Sequence, residues 1–421
     1  MASGTDGDGA GGVVGLETDV LVLSVAMFCF SLGFQMTTRY LPRYLSVLGA
    51  GALAVGAFGT LQNVLGAAYP YPGGWLADRI GSARALTLFG VASTAGFLVW
   101  FATPELGGAT PLLPAWGWVF VGLLLAQAWK SLGIGATFAL VRQRSPAGGI
   151  ATGFASTETF RRVAFLVGPL LAAVALAAAT DFLEGFRWIL AAAVVFAALA
   201  TVAQHVLYRE DRALGSSIEG LSDVIDDLRG LPASLRPLLV ADALVRFGNG
   251  IVYVFVVLFV TERLAVEATV AGFDLTPDAL FGVFLALEMV VALLVMLPAA
   301  RLADRYGLEP VVALGFGVYA VFPVLLAVAP ADPLVVGAIF AVSGIRFAGL
   351  PAHKALIVEP AAERAGGRVT GAYYLVRNVV VMPSALLGGV LYGVQPATAF
   401  LLGGAVAGAG TVYFVVAGVE P

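Results

Sequence analysis

Apolar residues run in blocks of about twenty along nearly the whole chain, and the blocks show no polar face at helical spacing. They fall near residues 19–41, 52–76, 84–103, 113–141, 153–179 and 186–208. After a polar stretch, six more fall near 238–260, 278–300, 309–329, 334–357, 371–392 and 396–418. Each is long enough to cross a hydrocarbon core as a helix, and a helix that is apolar all round belongs in a bilayer. The pattern predicts an all-α membrane protein with twelve transmembrane helices. The longest polar segment, YREDRALGSSIEGLSDVIDDLRGLPASLRP, occupies 208–237. Its Ile218, Leu221, Val224, Ile225 and Leu228 recur at helical spacing, which predicts an amphipathic helix on the membrane surface. The expected organisation is a flexible cytoplasmic tail (1–18), a first six-helix unit (19–208), a cytoplasmic linker (209–237) and a second six-helix unit (238–418).

Composition agrees with this pattern. The chain of 421 residues is 60% hydrophobic and 12% charged, with a mean hydropathy of +0.94, outside the range of soluble domains. Cys29 is the only cysteine and His205 and His353 lie far apart. Disulfides, thiolate clusters and zinc are therefore not expected, and no cofactor or nucleic-acid partner is implied. Lys130 and Lys354 are the only lysines. With the Ala/Gly richness and acidic pI this points to a prokaryotic source. The first eighteen residues lack a basic region before the first apolar run, so a cleaved signal peptide is not expected.

Arginine sets the expected orientation. With the N-terminus inside, the inner loops hold Arg79, Arg84, Arg142, Arg144, Arg209, Arg212, Arg229, Arg236, Arg301, Arg305, Arg364 and Arg368. The outer loops hold only Arg43, Arg187 and Arg263, with Arg39 near the outer end of the first span. By the positive-inside rule both termini are expected in the cytoplasm, in a multi-pass protein of the plasma membrane.

The halves echo each other. A shift of 226 residues places Pro72, Leu76, Ala77, Asp78, Arg79 and Gly81 on Pro298, Leu302, Ala303, Asp304, Arg305 and Gly307. A shift of 216 places Lys130 on Arg346, Gly133 on Gly349 and Arg161 on Arg377. Matches in chain order at a nearly constant offset indicate an internal duplication of six helices plus six.

The segment GGWLADRIGSAR (73–84) places Asp and Arg at the foot of the second span. Its glycines are expected to form the turn, with Asp78 near the start of the third span, where the helix dipole favours a carboxylate. This segment resembles the loop signature of the major facilitator superfamily, Gly-x-Leu-x-Asp-Arg-x-Gly-x-x-Arg, through Gly74, Leu76, Asp78, Arg79, Gly81 and Arg84. The second-half copy matches it through Leu302, Asp304, Arg305 and Gly307, with Arg301 where a Gly often stands. The resemblance covers the whole chain. It implies two pseudo-symmetric six-helix bundles around a central cavity lined by spans 1, 4, 7 and 10, alternating access by rocking, and a gating role for both loops. Gly168-Pro169 in span 5 matches only the core of the longer Gly-rich pattern of exporters in that superfamily.

Ionised side chains at mid-bilayer are costly, so each is a functional suspect. Lys130 lies near the middle of span 4 and Arg346 near the middle of span 10. If the superfamily arrangement holds, they face one cavity from opposite bundles and suit an anionic substrate. Asp242 and Arg246, one turn apart in span 7, are expected to pair with each other. Glu158 stands in the same relation to Arg162 in span 5 and is expected to be either a proton carrier or the permanent counter-ion of Arg162 or Lys130. Glu158, Glu288 and Asp242 are the candidates for proton coupling. Glu288 has no base within span 8, and a lone carboxylate in apolar surroundings tends to take up a proton. Arg377 is expected either to pair with Glu288 or to line the cavity. Gln35, Trp129 and Asn249 join Lys130, Arg346 and Arg246 as candidate substrate contacts.

No GxxxxGK[ST] segment is present, which excludes a built-in ATP motor of that type. No nucleophile, base and metal constellation suggests an enzyme. The expected function is a secondary active transporter, proton-coupled, for a small anionic or zwitterionic organic solute, because bases outnumber acids within the spans. The alternative is proton-coupled efflux of hydrophobic or cationic compounds. A non-transporting receptor or scaffold is a third reading. A monomer suffices, since one chain holds both bundles.

Overall fold

A computed structural model describes residues 18–109, 112–133, 150–207, 232, 234–270, 272–362 and 366–417. Span 1 is α1 (Thr18–Thr37), followed across a three-residue turn by the short α2 (Leu41–Val47). Span 2 divides into α3 (Ala52–Ala68) and α4 (Pro70–Ile80), because Pro70 and Pro72 start a new helix. Span 3 is α5 (Ser82–Phe101), trailed by α6 (Thr103–Ala109), and span 4 begins as α7 (Ala115–Gln127). Spans 5 and 6 are α8 (Ile150–Ala178) and α9 (Phe182–Leu207). Span 7 comprises α10 (Leu235–Tyr253) and α11 (Val256–Leu258), leading to a small antiparallel hairpin in which Ala268–Val270 pairs with Phe273–Leu275. Then come α12 (Pro277–Tyr306), α13 (Leu308–Val328), α14 (Pro333–Gly344), α15 (Gly349–Ala362), α16 (Gly366–Val381), α17 (Ser384–Val394) and α18 (Pro396–Ala417).

Among the described residues eight helices are long and apolar enough to cross a membrane, or nine if the bent span 7 counts as one. Ser24–Thr37 and Ala52–Ala68 are shorter apolar helices. Many aliphatic side chains remain exposed along these helices, among them Leu88, Val174, Leu294 and Val412, as expected where lipid replaces water. The amphipathic linker expected at 209–237 lies largely outside the described residues.

The packing repeats between halves. In the first, α1 packs on α8 and α9; in the second, α10 packs on α16, α17 and α18. The halves meet where α3 touches α17 and α8 touches α12. Under the duplication spans 2 and 8 correspond, as do 5 and 11, so these two contacts are equivalent. Their closeness depends on small residues. A Cβ added at Gly56 would lie 2.6 Å from the carbonyl oxygen of Ala385, and one at Gly282 2.7 Å from that of Pro169.

The two signature segments adopt matching backbones that differ from the expected turn. Gly73, Gly74, Asp78 and Arg79 lie within α4, and the turn falls on Gly81 alone, at φ 92 and ψ 147. Gly307, its counterpart between α12 and α13, has φ 89 and ψ 167. Side chains strongly disfavour this region, so glycine permits the abrupt change of direction. Asp78 therefore closes the last turn of α4 rather than opening the next helix.

Candidate substrate and gating site

Spans 4 and 10 both lose α-helical geometry at their cations. Lys130 lies in a π-helical turn, Ala128–Leu132, and Arg346 in a 3₁₀ turn, Ile345–Ala348. These turns coincide under the 216-residue shift, and such irregular turns inside helices mark hinges and functional sites.

Arg346 is buried, and its guanidinium lies 2.5 Å from Oε1 of Glu288, which is equally buried. The Ser343 hydroxyl donates to the same oxygen at 2.7 Å. Arg39, from the turn after α1, approaches Oε2 at 3.8 Å while stacking over the Tyr253 ring at 4.2 Å. Glu288 is thus not the isolated carboxylate the sequence implied. It bridges a base of the first half and a base of the second. A cavity of about 10 Å³, room for about one water, is lined by Arg39, Asn249, Tyr253, Glu288, Phe322 and Arg346. The Arg346 Nε is buried there without a hydrogen-bond partner.

A second carboxylate organises the other end of the second half. Asp242 is wholly buried and lies 3.2 Å from Arg246 Nε and 3.3 Å from Arg377 Nη1. The Tyr373 hydroxyl donates to it at 3.3 Å. His353 Nε2 sits 3.3 Å away, out of line for a hydrogen bond. Arg377 therefore pairs with Asp242, not with Glu288. Tyr319 joins the two centres: its hydroxyl accepts from Arg246 at 3.0 Å, and its ring lies 5.3 Å from the Arg346 guanidinium carbon.

Lys130 is exposed, with its Nζ 5.6 Å from the Phe34 ring centroid, and has no carboxylate partner among the described residues. The Glu158 side chain lies outside the described residues. Trp129 stacks on Phe30 at 4.2 Å, and its indole donates to Gln204 at 3.3 Å, so its ring serves packing within the first half. Gln35 is half-buried where α1 crosses α8 beside Gly168.

Ion pairs also join the halves at the end that carries the hairpin. Arg43 of α2 lies 2.5 Å from Glu262 and 3.1 Å from Asp278, and the Ser46 hydroxyl donates to Glu262 at 2.7 Å. Sequence reading placed the latch at the opposite end, in the signature loops. There Arg79, Arg84, Asp304 and Arg305 are exposed, with Arg79 over Trp75 and Arg305 over Tyr306. Arg39, Ser343, Tyr319 and His353 also escaped the sequence reading. Only Arg39 and His353 carried a signal, as an ionisable group at or inside a span.

Two helical bundles thus meet at charged centres within an apolar chain. The family model described as Major Facilitator Superfamily matches residues 238–421. An uncharacterized MFS-type transporter of Methanocaldococcus jannaschii is 19% identical over 93% of this chain and 93% of its own length. Among solved structures, the nucleoside transporter NupG superposes with a TM-score of 0.70 at 14% identity, covering 95% of this chain and 98% of that one. A POT family transporter in complex with a thioalcohol-conjugated peptide gives 0.73 at 14% identity, covering 96% and 97%. The second half of the chain thus matches the Major Facilitator Superfamily model, and the chain as a whole shares the fold of these solved transporters.

Proposed function

We propose that this protein is a secondary transporter that moves a small anionic or zwitterionic organic solute by alternating access, coupled to protons. The observation that carries the reading is the excess of base at both charged centres. Glu288 faces Arg39 and Arg346, Asp242 faces Arg246 and Arg377, and Lys130 has no carboxylate among the described residues. An excess of fixed cations in a low-dielectric interior favours a visiting anion. A carrier of cations calls for an uncompensated acid, and both described interior carboxylates are already shared by two guanidiniums.

The geometry also supports a coupling scheme. Glu288 is the only acid among the described residues that binds Arg346, and it holds Arg39 of the other half as well. Protonating Glu288 removes the charge that holds both, so Arg346 becomes available to a substrate anion and the halves lose one link. Asp242 is a second proton acceptor in this reading, and Glu158 a third. Taking the arginine-rich loops as cytoplasmic, the hairpin end is outside and the Arg43 latch closes the outer mouth. The termini are then cytoplasmic, the signature loops (Gly74, Asp78, Arg79, Gly81, Arg84, Asp304, Arg305 and Gly307) gate the inner side, and the bundles run from 19 to 208 and from 238 to 418. The membrane is the plasma membrane, and a monomer is the working unit.

A thermal-shift screen of the purified protein against organic anions, sugars and cationic drugs at two pH values tests the reading. An anion is expected to stabilise the protein, with the shift abolished by Lys130→Gln. Stabilisation by cationic drugs alone, unaffected by that variant, overturns it.

A further inference from the structure

Four polar residues of α10 form one stripe. Asp242, Arg246, Asn249 and Tyr253 follow at intervals of four, three and four residues, which keeps them on a single helix face. The stripe connects the Asp242 centre to the cavity at Glu288, where Asn249 and Tyr253 are lining residues. At 1.5 Å per residue, Arg246 and Tyr253 stand about 10 Å apart along the axis.

At the Asp242 end the carboxylate is sealed, at 0% exposure, while its two partners are not: the Arg246 side chain is 22% exposed and that of Arg377 18%. A guanidinium turned to hydrocarbon is costly, so the exposed edges belong on the polar interior rather than the lipid face. A guanidinium has five N–H donors. Arg246 uses one on Asp242 and one on Tyr319; Arg377 uses one on Asp242 and two on Asn378. Each keeps unused donors, and each ring beneath holds its plane in place: Tyr319 at 5.0 Å under Arg246 and Tyr374 at 4.6 Å under Arg377. Asp242 thus acts as a buried positioning group shared by two arginines from different helices.

We propose that Arg246 and Arg377 form a second anion subsite, about one to two helical turns from the Arg39/Arg346 centre, and that the carried solute is an organic diacid whose two acidic groups engage both. This rests on the anion reading above and narrows it. A planar carboxylate fits the paired N–H groups of each centre. The two ends differ in kind. Arg346 is freed when Glu288 loses its charge, whereas Arg246 and Arg377 offer donors while still paired to Asp242.

The test measures binding of the full chain in detergent to straight-chain dicarboxylates from succinate to sebacate, and to monocarboxylates of equal length, at fixed ionic strength. One diacid length is expected to bind about tenfold or more tighter than its monoacid, because it adds a second charge-assisted contact. Arg377→Gln should erase that advantage, bringing the affinity for the diacid down to that for its monoacid. Arg377→Lys, which keeps the charge but not the paired donors, should reduce the advantage and serves if Arg377→Gln does not fold. Equal binding of mono- and diacids by the wild type, or a diacid advantage that survives either substitution in full, overturns the second subsite alone. If no carboxylate of either kind binds, the anion reading fails with it.

Discussion

Replacing Glu288 with Gln keeps the shape of the side chain and removes its charge, which isolates what that charge holds in place. The Ser343 hydroxyl, now 2.7 Å from Oε1, can still donate to the amide oxygen. Arg346, at 6% side-chain exposure, loses its carboxylate, and its Nε already has no partner. Stranding one member of a buried ion pair typically costs about 3–5 kcal/mol. The retained Ser343 bond puts the expectation at the lower edge, about 3 kcal/mol, with little from Arg39 at 3.8 Å. At about 2 °C per kcal/mol for a large domain, the thermal midpoint should fall by roughly 6 °C. The decisive comparison is the double variant. Adding Arg346→Leu to Glu288→Gln removes the stranded cation and should recover most of the loss, whereas independent sites would add. Tryptophan fluorescence of purified protein during heating reads all four corners of the cycle. A Glu288→Gln midpoint within 1 °C of wild type, or strictly additive losses, would refute the idea that Glu288 compensates Arg346.

Two further outcomes follow from the contacts between and within the halves. Gly56→Val should obstruct the approach of α3 to α17, since its Cβ alone would sit 2.6 Å from a backbone oxygen that cannot yield; a cysteine pair at Ser46 and Glu262, which probes the closed hairpin end, should then cross-link more slowly, and an unchanged rate would contradict the packing account. Gly81→Ala should destabilise by about 1–2 kcal/mol because φ 92 is disfavoured for any side chain, and Gly307→Ala by a similar amount; a neutral thermal midpoint in both would argue against this turn geometry.

Much of the architecture was legible because it depends on period and offset. Apolar block length located the spans, and the shift that places Gly81 on Gly307 pairs two glycines whose backbone angles match. The pairing of Lys130 with Arg346 by the same arithmetic led to two irregular turns at equivalent positions. What escaped was direction. In a helix that is apolar all round, spacing does not say which face meets which neighbour, so Arg39 and Glu288 could not be joined across 249 positions, nor Arg377 assigned to Asp242 instead of Glu288. The near-neighbour pair Asp242–Arg246 was readable because both ends share one helix face. The signature glycines misled for a related reason. Composition marks a turn, but only tertiary packing decides that Gly73 lies helical against Leu132 while Gly81 bends the chain.

The central claim is that interior cations receive an anion and that protons drive its movement. The most direct measurement is flux of a stabilising organic anion into liposomes containing the purified protein, with and without an imposed pH gradient. Saturable, gradient-dependent accumulation that Lys130→Gln abolishes, and that Glu288→Gln uncouples from pH while leaving exchange intact, is the predicted result. Gradient-driven movement of a cationic dye with no anion flux, unaffected by either substitution, would contradict it.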